Sequence, residues 1–138
     1  MFVITGATGN TGKIIATRLL EAGKSVKLIG RDPEKANDLI TKGAEFAKGS
    51  LDDVEFLTSA FEGAAAVYAM IPPAYREPDF YGFQTKTVDT LATAIKNSGV
   101  KYAVSLSSLG AQLSEDTGVV FGLHYMEEEF NKIEGLNV

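Results

Sequence analysis

Residues 4–13 read "ITGATGNTGK", with glycines at 6, 9 and 12. Glycine is costly in an ordered chain unless the backbone must turn left-handed or pass close to something. Before the run stands "FVIT" (2–5), apolar and of strand composition; after it comes "TGKIIATRLLEAG" (11–23). In the latter, Ile14, Ile15, Arg18, Leu19 and Ala22 fall at helical spacing, and Gly23 is a terminator. A strand, a glycine turn and a helix in that order present free N–H groups and the positive end of a helix dipole to an anion. Absent Cβ atoms at Gly6, Gly9 and Gly12 let a pyrophosphate and the helix approach, with Thr8, Asn10 and Thr11 in the same turn. The alternative is a purely structural turn. A P-loop does not fit, because Gly12 and Lys13 are followed by Ile14 where that motif needs Ser or Thr.

The rest of the chain continues the alternation. "SVKLIG" (25–30) reads as a second strand, and "DPEKANDLITKG" (32–43) as a helix capped by Asp32, opened by Pro33 and ended by Gly43. "AEFAKG" (44–49) is a third strand, "DDVEFLTSAFEG" (52–63) a helix with an acidic first turn, and "AAVYAMI" (65–71) a fourth, wholly apolar strand ended by Pro72 and Pro73. "TKTVDTLATAIKNSG" (85–99) carries Val88, Leu91, Ala92 and Ile95 on one face; "KYAVSLSS" (101–108) is a fifth strand and "GLHYMEEEFNKIEG" (122–135) a last helix. Apolar strands joined by crossover helices predict one α/β domain over 1–138, a doubly wound parallel sheet of the Rossmann type. Its expected strand order is 3-2-1-4-5, with the glycine turn at the carboxyl ends of the strands where ligands bind.

Composition narrows the function. With 138 residues, 45% of them hydrophobic, there is material for one core. A net charge of −5 gives no basic field for nucleic acid or an anionic membrane, so phosphate must be recognised locally. There is no cysteine and a single histidine, which removes thiolate zinc sites, cysteine nucleophiles and histidine-rich metal sites from the expected chemistry. The start of the chain shows no basic region or long apolar stretch, and the expected location is cytoplasmic.

The motifs "ITGATGNTGK", "GRDPEKA" (30–36), "GSLDD" (49–53), "MIPP" (70–73) and "SLSSLGA" (105–111) resemble the NmrA-like branch of atypical short-chain dehydrogenases, which includes NADPH-dependent quinone reductases. The resemblance spans essentially the whole chain. It implies a dinucleotide cofactor, NADP(H) or less readily NAD(H), contacted by the glycine turn, by Ser50 and Leu51 after the third strand, by Ile71 and Pro72 after the fourth and by Ser107 after the fifth. In the family an acidic residue contacts adenine where this chain has Ser50, so that contact is altered here. Asp52 and Asp53 are more simply the acidic start of a helix.

Cofactor choice rests on the tip of the second strand, where a carboxylate would bind the NAD ribose and an arginine would clamp the 2′-phosphate of NADP. Asp32 is accounted for by capping, which leaves Arg31 for the phosphate; the bland reading is a solvated arginine. Lys13 reads equally as a second phosphate contact or a surface lysine.

For catalysis, the usual Tyr-x-x-x-Lys pair is missing: Tyr125 is followed four residues on by Glu129, which would raise the tyrosine pKa. The same helix carries His124 with Glu128 one turn later, and the resemblance implies that His124 faces the nicotinamide. Histidine titrates near neutrality and could give a proton as hydride arrives; ordering the ribose or packing on the sheet is the alternative. Phe80, Tyr81 and Phe83, aromatics opening a helix, read either as lining a substrate mouth or, more simply, as core contacts, and "EEEF" (127–130) as a solvated face with a Glu128–Lys132 pair.

The expected function is NADPH-dependent reduction of a quinone or similar small electrophile. A redox-sensing module that binds the dinucleotide and reports to a protein partner is the alternative, and a sugar-nucleotide epimerase is disfavoured by the missing Tyr-x-x-x-Lys. Members of the branch continue past "GLN" into a sixth strand and a C-terminal substrate region, so the expectation is the N-terminal cofactor-binding part of a longer protein, with the fifth strand left as an exposed apolar edge.

Overall fold

The structure, a computed structural model, describes residues 1–114 and 118–138. Strand β1 (Phe2–Ile4) runs into the glycine turn and helix α1 (Asn10–Glu21). After them come β2 (Val26–Gly30), a 3₁₀ turn (Glu34–Ala36), α2 (Asn37–Thr41), β3 (Glu45–Lys48), α3 (Val54–Phe61), β4 (Ala66–Ala69), α4 (Phe80–Ser98), β5 (Ala103–Ser105), a second 3₁₀ turn (Gly118–Val120) and α5 (Phe121–Asn131). The strands pair in parallel in the order β3-β2-β1-β4-β5, as expected.

Side-chain alternation explains the two covered faces. Val3 points to the face where Leu57, Phe61, Val88, Leu91 and Phe130 bring in α3, α4 and α5. Its neighbour Ile4 points to the other face, with Ala16 of α1 and Leu39 of α2. A sheet buried on both sides needs central strands that are apolar on both faces, as β1 and β4 are, while the edge strand β3 carries Glu45 and Lys48 at its exposed ends. The winding reverses between β1 and β4, and the crevice at the carboxyl ends of these strands is the place for a ligand. No helix among the described residues is long and apolar enough to cross a membrane.

Four local expectations are corrected. The second helix is split: Asp32 Oδ1 accepts from the Glu34 N–H at 3.1 Å, winding a tight first turn before the short α2. Helix α4 starts at Phe80 rather than near Thr85, because the Asp79 carboxylate caps it by accepting from the Gly82 N–H at 2.9 Å. Ile14 is 62% exposed, since α1 rests on the line through Gly12 and Ala16. The β5 edge is partly covered: Asn137 forms a parallel bridge to Tyr102, with the Ala103 N–H donating to the Asn137 carbonyl at 2.9 Å. Farther along, Val104 is 60% exposed.

Candidate active site

The three glycines differ in what surrounds them. Gly6 has φ of +62°, a conformation that favours glycine, and the nearest atom a Cβ would meet is Met70 Sδ at 2.7 Å, on a side chain that can move. A Cβ on Gly12 would overlap the Gly6 carbonyl oxygen and lie 2.9 Å from Gly6 C and 3.0 Å from Ala7 Cα. This glycine lets α1 sit on the backbone of its own turn. Gly9 meets only the Gly6 oxygen at 3.3 Å, and it is exposed together with Thr8, Asn10 and Thr11. The open side of the turn is thus Thr8 to Thr11, with the first N–H groups of α1 behind it. Helix α1 has no side-chain cap and no acidic residue in its first turn, whereas Asp53 caps α3 and Asp79 caps α4. An uncapped, acid-free N-terminus at the crevice fits an anionic pyrophosphate.

Arg31 follows β2 directly and is exposed. Lys13 pairs with Asp38 at 2.5 Å, which draws its charge toward α2 and holds the Asp38 carboxyl below its usual range. Asp52 is also lowered, first by the Ser50 hydroxyl that donates to it and then by the nearby charges of Lys86 and Arg31. The charges of Arg31 and Lys86 are thus both felt at Asp52, and Leu51 beside it packs against the core. Lys86 was not among the residues singled out in the sequence; being on α4, it carries no local signal that its charge is felt at Asp52.

At the ends of β4 and β5 lies a hollow of about 360 Å³ lined by Ile71, Pro72, Tyr75, Phe80, Gln84 and Ser107 among others. Ser107 Oγ donates to Glu127 Oε1 at 2.5 Å, and Glu127 in turn lines a second hollow of about 390 Å³ that contains His124 and Glu128. The structure thus brings Ile71, Pro72 and Ser107 together and sets His124 in the adjoining hollow, across Glu127. His124 Nδ1 lies 2.7 Å from the Ala111 carbonyl oxygen, so Nδ1 carries the hydrogen, and Nε2 faces Glu128 Oε1 at 3.6 Å.

Two readings of α5 change. "EEEF" is not a uniform solvated face, because Glu127 turns inward to Ser107, and Lys132 bonds Glu129 at 2.6 Å rather than Glu128. Phe80 and Tyr81 are not plain core contacts: Tyr75, Phe80, Tyr81, Phe121 and Tyr125 form a chain of rings with successive centroids 6.0, 6.0, 5.4 and 6.4 Å apart.

Tyr125 donates to Asp89 Oδ1 at 2.8 Å and is pushed up to about 12, chiefly by that bond, with Glu129 and Glu128 adding repulsion of the phenolate. It is therefore a weaker acid than a free tyrosine. A tyrosine raised above its free value of about 10 contributes stability that is complete below that pH and is lost as the pH climbs toward about 12. In an alkaline titration followed by tyrosinate absorbance, the ionisation near 12 is expected to vanish in Tyr125→Phe; an unchanged curve would contradict the Asp89 bond.

A family model described as NAD(P)H-binding matches residues 6–132. The chain belongs to this NAD(P)H-binding family. Its relatives include an NAD(P)H azoreductase of Xenophilus azovorans, 32% identical over 111 residues, or 80% of this chain and 36% of that protein. An NmrA-like family domain-containing oxidoreductase of Penicillium ochrochloron is 30% identical over 144 residues, or 97% of this chain and 41% of that one. Among solved structures, the Citrobacter sp. triphenylmethane reductase complexed with NADP(H) superposes with a TM-score of 0.76 at 25% identity, covering 94% of this chain and 46% of that one. The NAD(P)H-binding chain described here thus spans about a third to a half of the length of these proteins. The NmrA-like resemblance and the dinucleotide cofactor both hold, and the uncapped α1 and the Arg31 neighbourhood are of the right charge for that cofactor.

Proposed function

We propose that this chain is the cofactor-binding part of an NADPH-dependent reductase acting on a small planar electrophile such as a quinone or an azo compound. What supports it most is one juxtaposition: the uncapped N-terminus of α1, Arg31 and an apolar hollow all border the carboxyl ends of the strands. NADPH, when bound, supplies the hydride. The first turn of α1 would hold the pyrophosphate, Arg31 the 2′-phosphate, and Ser50 and Leu51 the adenine side. Ile71, Pro72 and Ser107 would border the nicotinamide end and exclude water from it. His124 would carry a proton on Nε2, its ring fixed by the Ala111 carbonyl.

The test is calorimetric titration of NADPH and NADH into the native chain and Arg31→Ala. Loss of a charge-assisted fork on phosphate is expected to weaken NADPH by about 10- to 100-fold and to leave NADH unchanged. Equal weakening of both would remove Arg31 from the 2′-phosphate, and absence of binding by either would defeat the reading as a whole.

One observation favours a regulatory module that binds the dinucleotide without turnover. The Ser107 proton is committed to Glu127 and His124 opens into the adjoining hollow. NADPH binding with no oxidation in the presence of a quinone would favour this second reading, in which a protein partner reads the bound state.

A further inference from the structure

Gln84, in the second turn of α4, is 4% exposed and lines the hollow at the ends of β4 and β5. Its Nε2 donates to the Val119 carbonyl at 3.0 Å. Because Val119 offers an oxygen, that end of the amide is the nitrogen, and Oε1 is the other end. Oε1 is buried and has no hydrogen-bond partner among the described residues. The amide cannot swing away to find one: a Cβ on Gly122 of α5 would lie 2.7 Å from Gln84 Cδ, so the helix backbone is packed directly against it.

A buried amide oxygen without a donor is costly, and most such groups are paired. Ser107, half-buried, gives its proton to Glu127 and is left with lone pairs, while the exposed Ser108 stands at the rim. Around them the walls are apolar: Ile71, Pro72, Pro73, Phe80, Val120 and Leu123. The hollow is therefore a largely apolar slot in which the buried Gln84 Oε1 lacks a donor, with a volume of about 360 Å³ that suits a one- or two-ring aromatic.

We propose that Gln84 is the specificity-determining residue of this hollow, its Oε1 accepting a hydrogen bond from a hydroxyl or amino substituent on a flat aromatic ligand. Naming that ligand as the hydride acceptor rests on the reductase reading; the hydrogen bond does not. A substituted quinone or aminoaromatic compound fills the slot and pairs Oε1, whereas a bare ring of the same size leaves it unpaired.

The test uses two ligands of nearly equal shape, 4-hydroxyacetophenone and 4-fluoroacetophenone, titrated into ¹⁵N-labelled chain and followed by amide shifts. The hydroxy compound is expected to bind the native chain about tenfold more tightly, as one buried hydrogen bond predicts. The shifts are expected at Leu106, Ser107 and Leu123. In Gln84→Met the preference is expected to collapse to within about a factor of two. Equal affinities in the native chain, binding of neither compound, or a preference that survives Gln84→Met would each overturn the proposal. The native comparison stands without any variant, so misfolding of Gln84→Met does not protect it. NADPH added to the same sample tests the reductase reading separately: no shifts at Gly9, Asn10 and Thr11 would sink that reading whatever the hydroxyl preference.

Discussion

Replacing Gly12 with alanine is expected to abolish detectable NADPH binding and to lower the melting temperature by on the order of 10 °C. Intrinsic helix preference points the other way, because alanine in a helix interior is favoured over glycine by about 1 kcal/mol. Sterics decide the sign. The new methyl would overlap the Gly6 carbonyl oxygen and crowd Gly6 C at 2.9 Å and Ala7 Cα at 3.0 Å. These are backbone atoms, so no side chain can rotate away and α1 has to lift off the turn. Lifting it uncovers Ala16, fully buried in the native packing, and moves the N–H groups that would hold the pyrophosphate. Gly9→Ala is the contrast: with only the Gly6 oxygen at 3.3 Å, it is expected to keep the native melting temperature while weakening NADPH. Circular-dichroism melts and calorimetry on both variants check this. A Gly12→Ala chain that melts at or above the native temperature would show that the helix does not rest on the turn.

His124→Gln is expected to slow quinone-dependent NADPH oxidation by about 10²-fold, in kcat rather than KM, with NADPH affinity unchanged. The tautomer underlies this expectation. With Nδ1–H held by the Ala111 carbonyl at 2.7 Å, the exchangeable proton belongs to Nε2, which faces Glu128 Oε1 at 3.6 Å. Glutamine can keep a hydrogen bond to Ala111 but cannot carry a proton at that atom. Steady-state rates and a binding isotherm on the same preparation separate the outcomes. Native turnover would mean that solvent supplies the proton. Weaker NADPH binding at unchanged kcat would make His124 an anchor of the segment after β5.

The order of the strands was legible because it depends on local signals: apolar runs of strand length, helical spacing between them, and terminators such as Gly23 and Gly43, both at positive φ. The glycine turn was legible for the same reason. Side-chain partnerships across elements were not. Glu127 and Glu129 look alike in "EEEF", yet one bonds Ser107, 20 residues away, and the other bonds Lys132. Tyr125 was read correctly as a tyrosine with a raised pKa, but its main partner, Asp89, is 36 residues distant on α4. Gln84 reaches the hollow only through the rotation of α4 against the sheet, and spacing along a helix does not report that rotation. The glycines show the limit from the other side: three identical residues at one interval serve a left-handed turn, an open face and a helix contact.

The half-covered edge of β5 has a consequence for the material in solution. Asn137 shields its start, but beyond Ala103 no strand lies alongside it among the described residues, and Val104 adds an apolar side chain to the rim. Such a rim leaves unpaired backbone groups on which another strand can be laid. Each copy carries a formal charge of −5, and that mutual repulsion reaches farthest in dilute buffer. Salt removes the repulsion and leaves the rim unguarded, which makes a low-salt, low-concentration preparation the natural starting point for handling this protein.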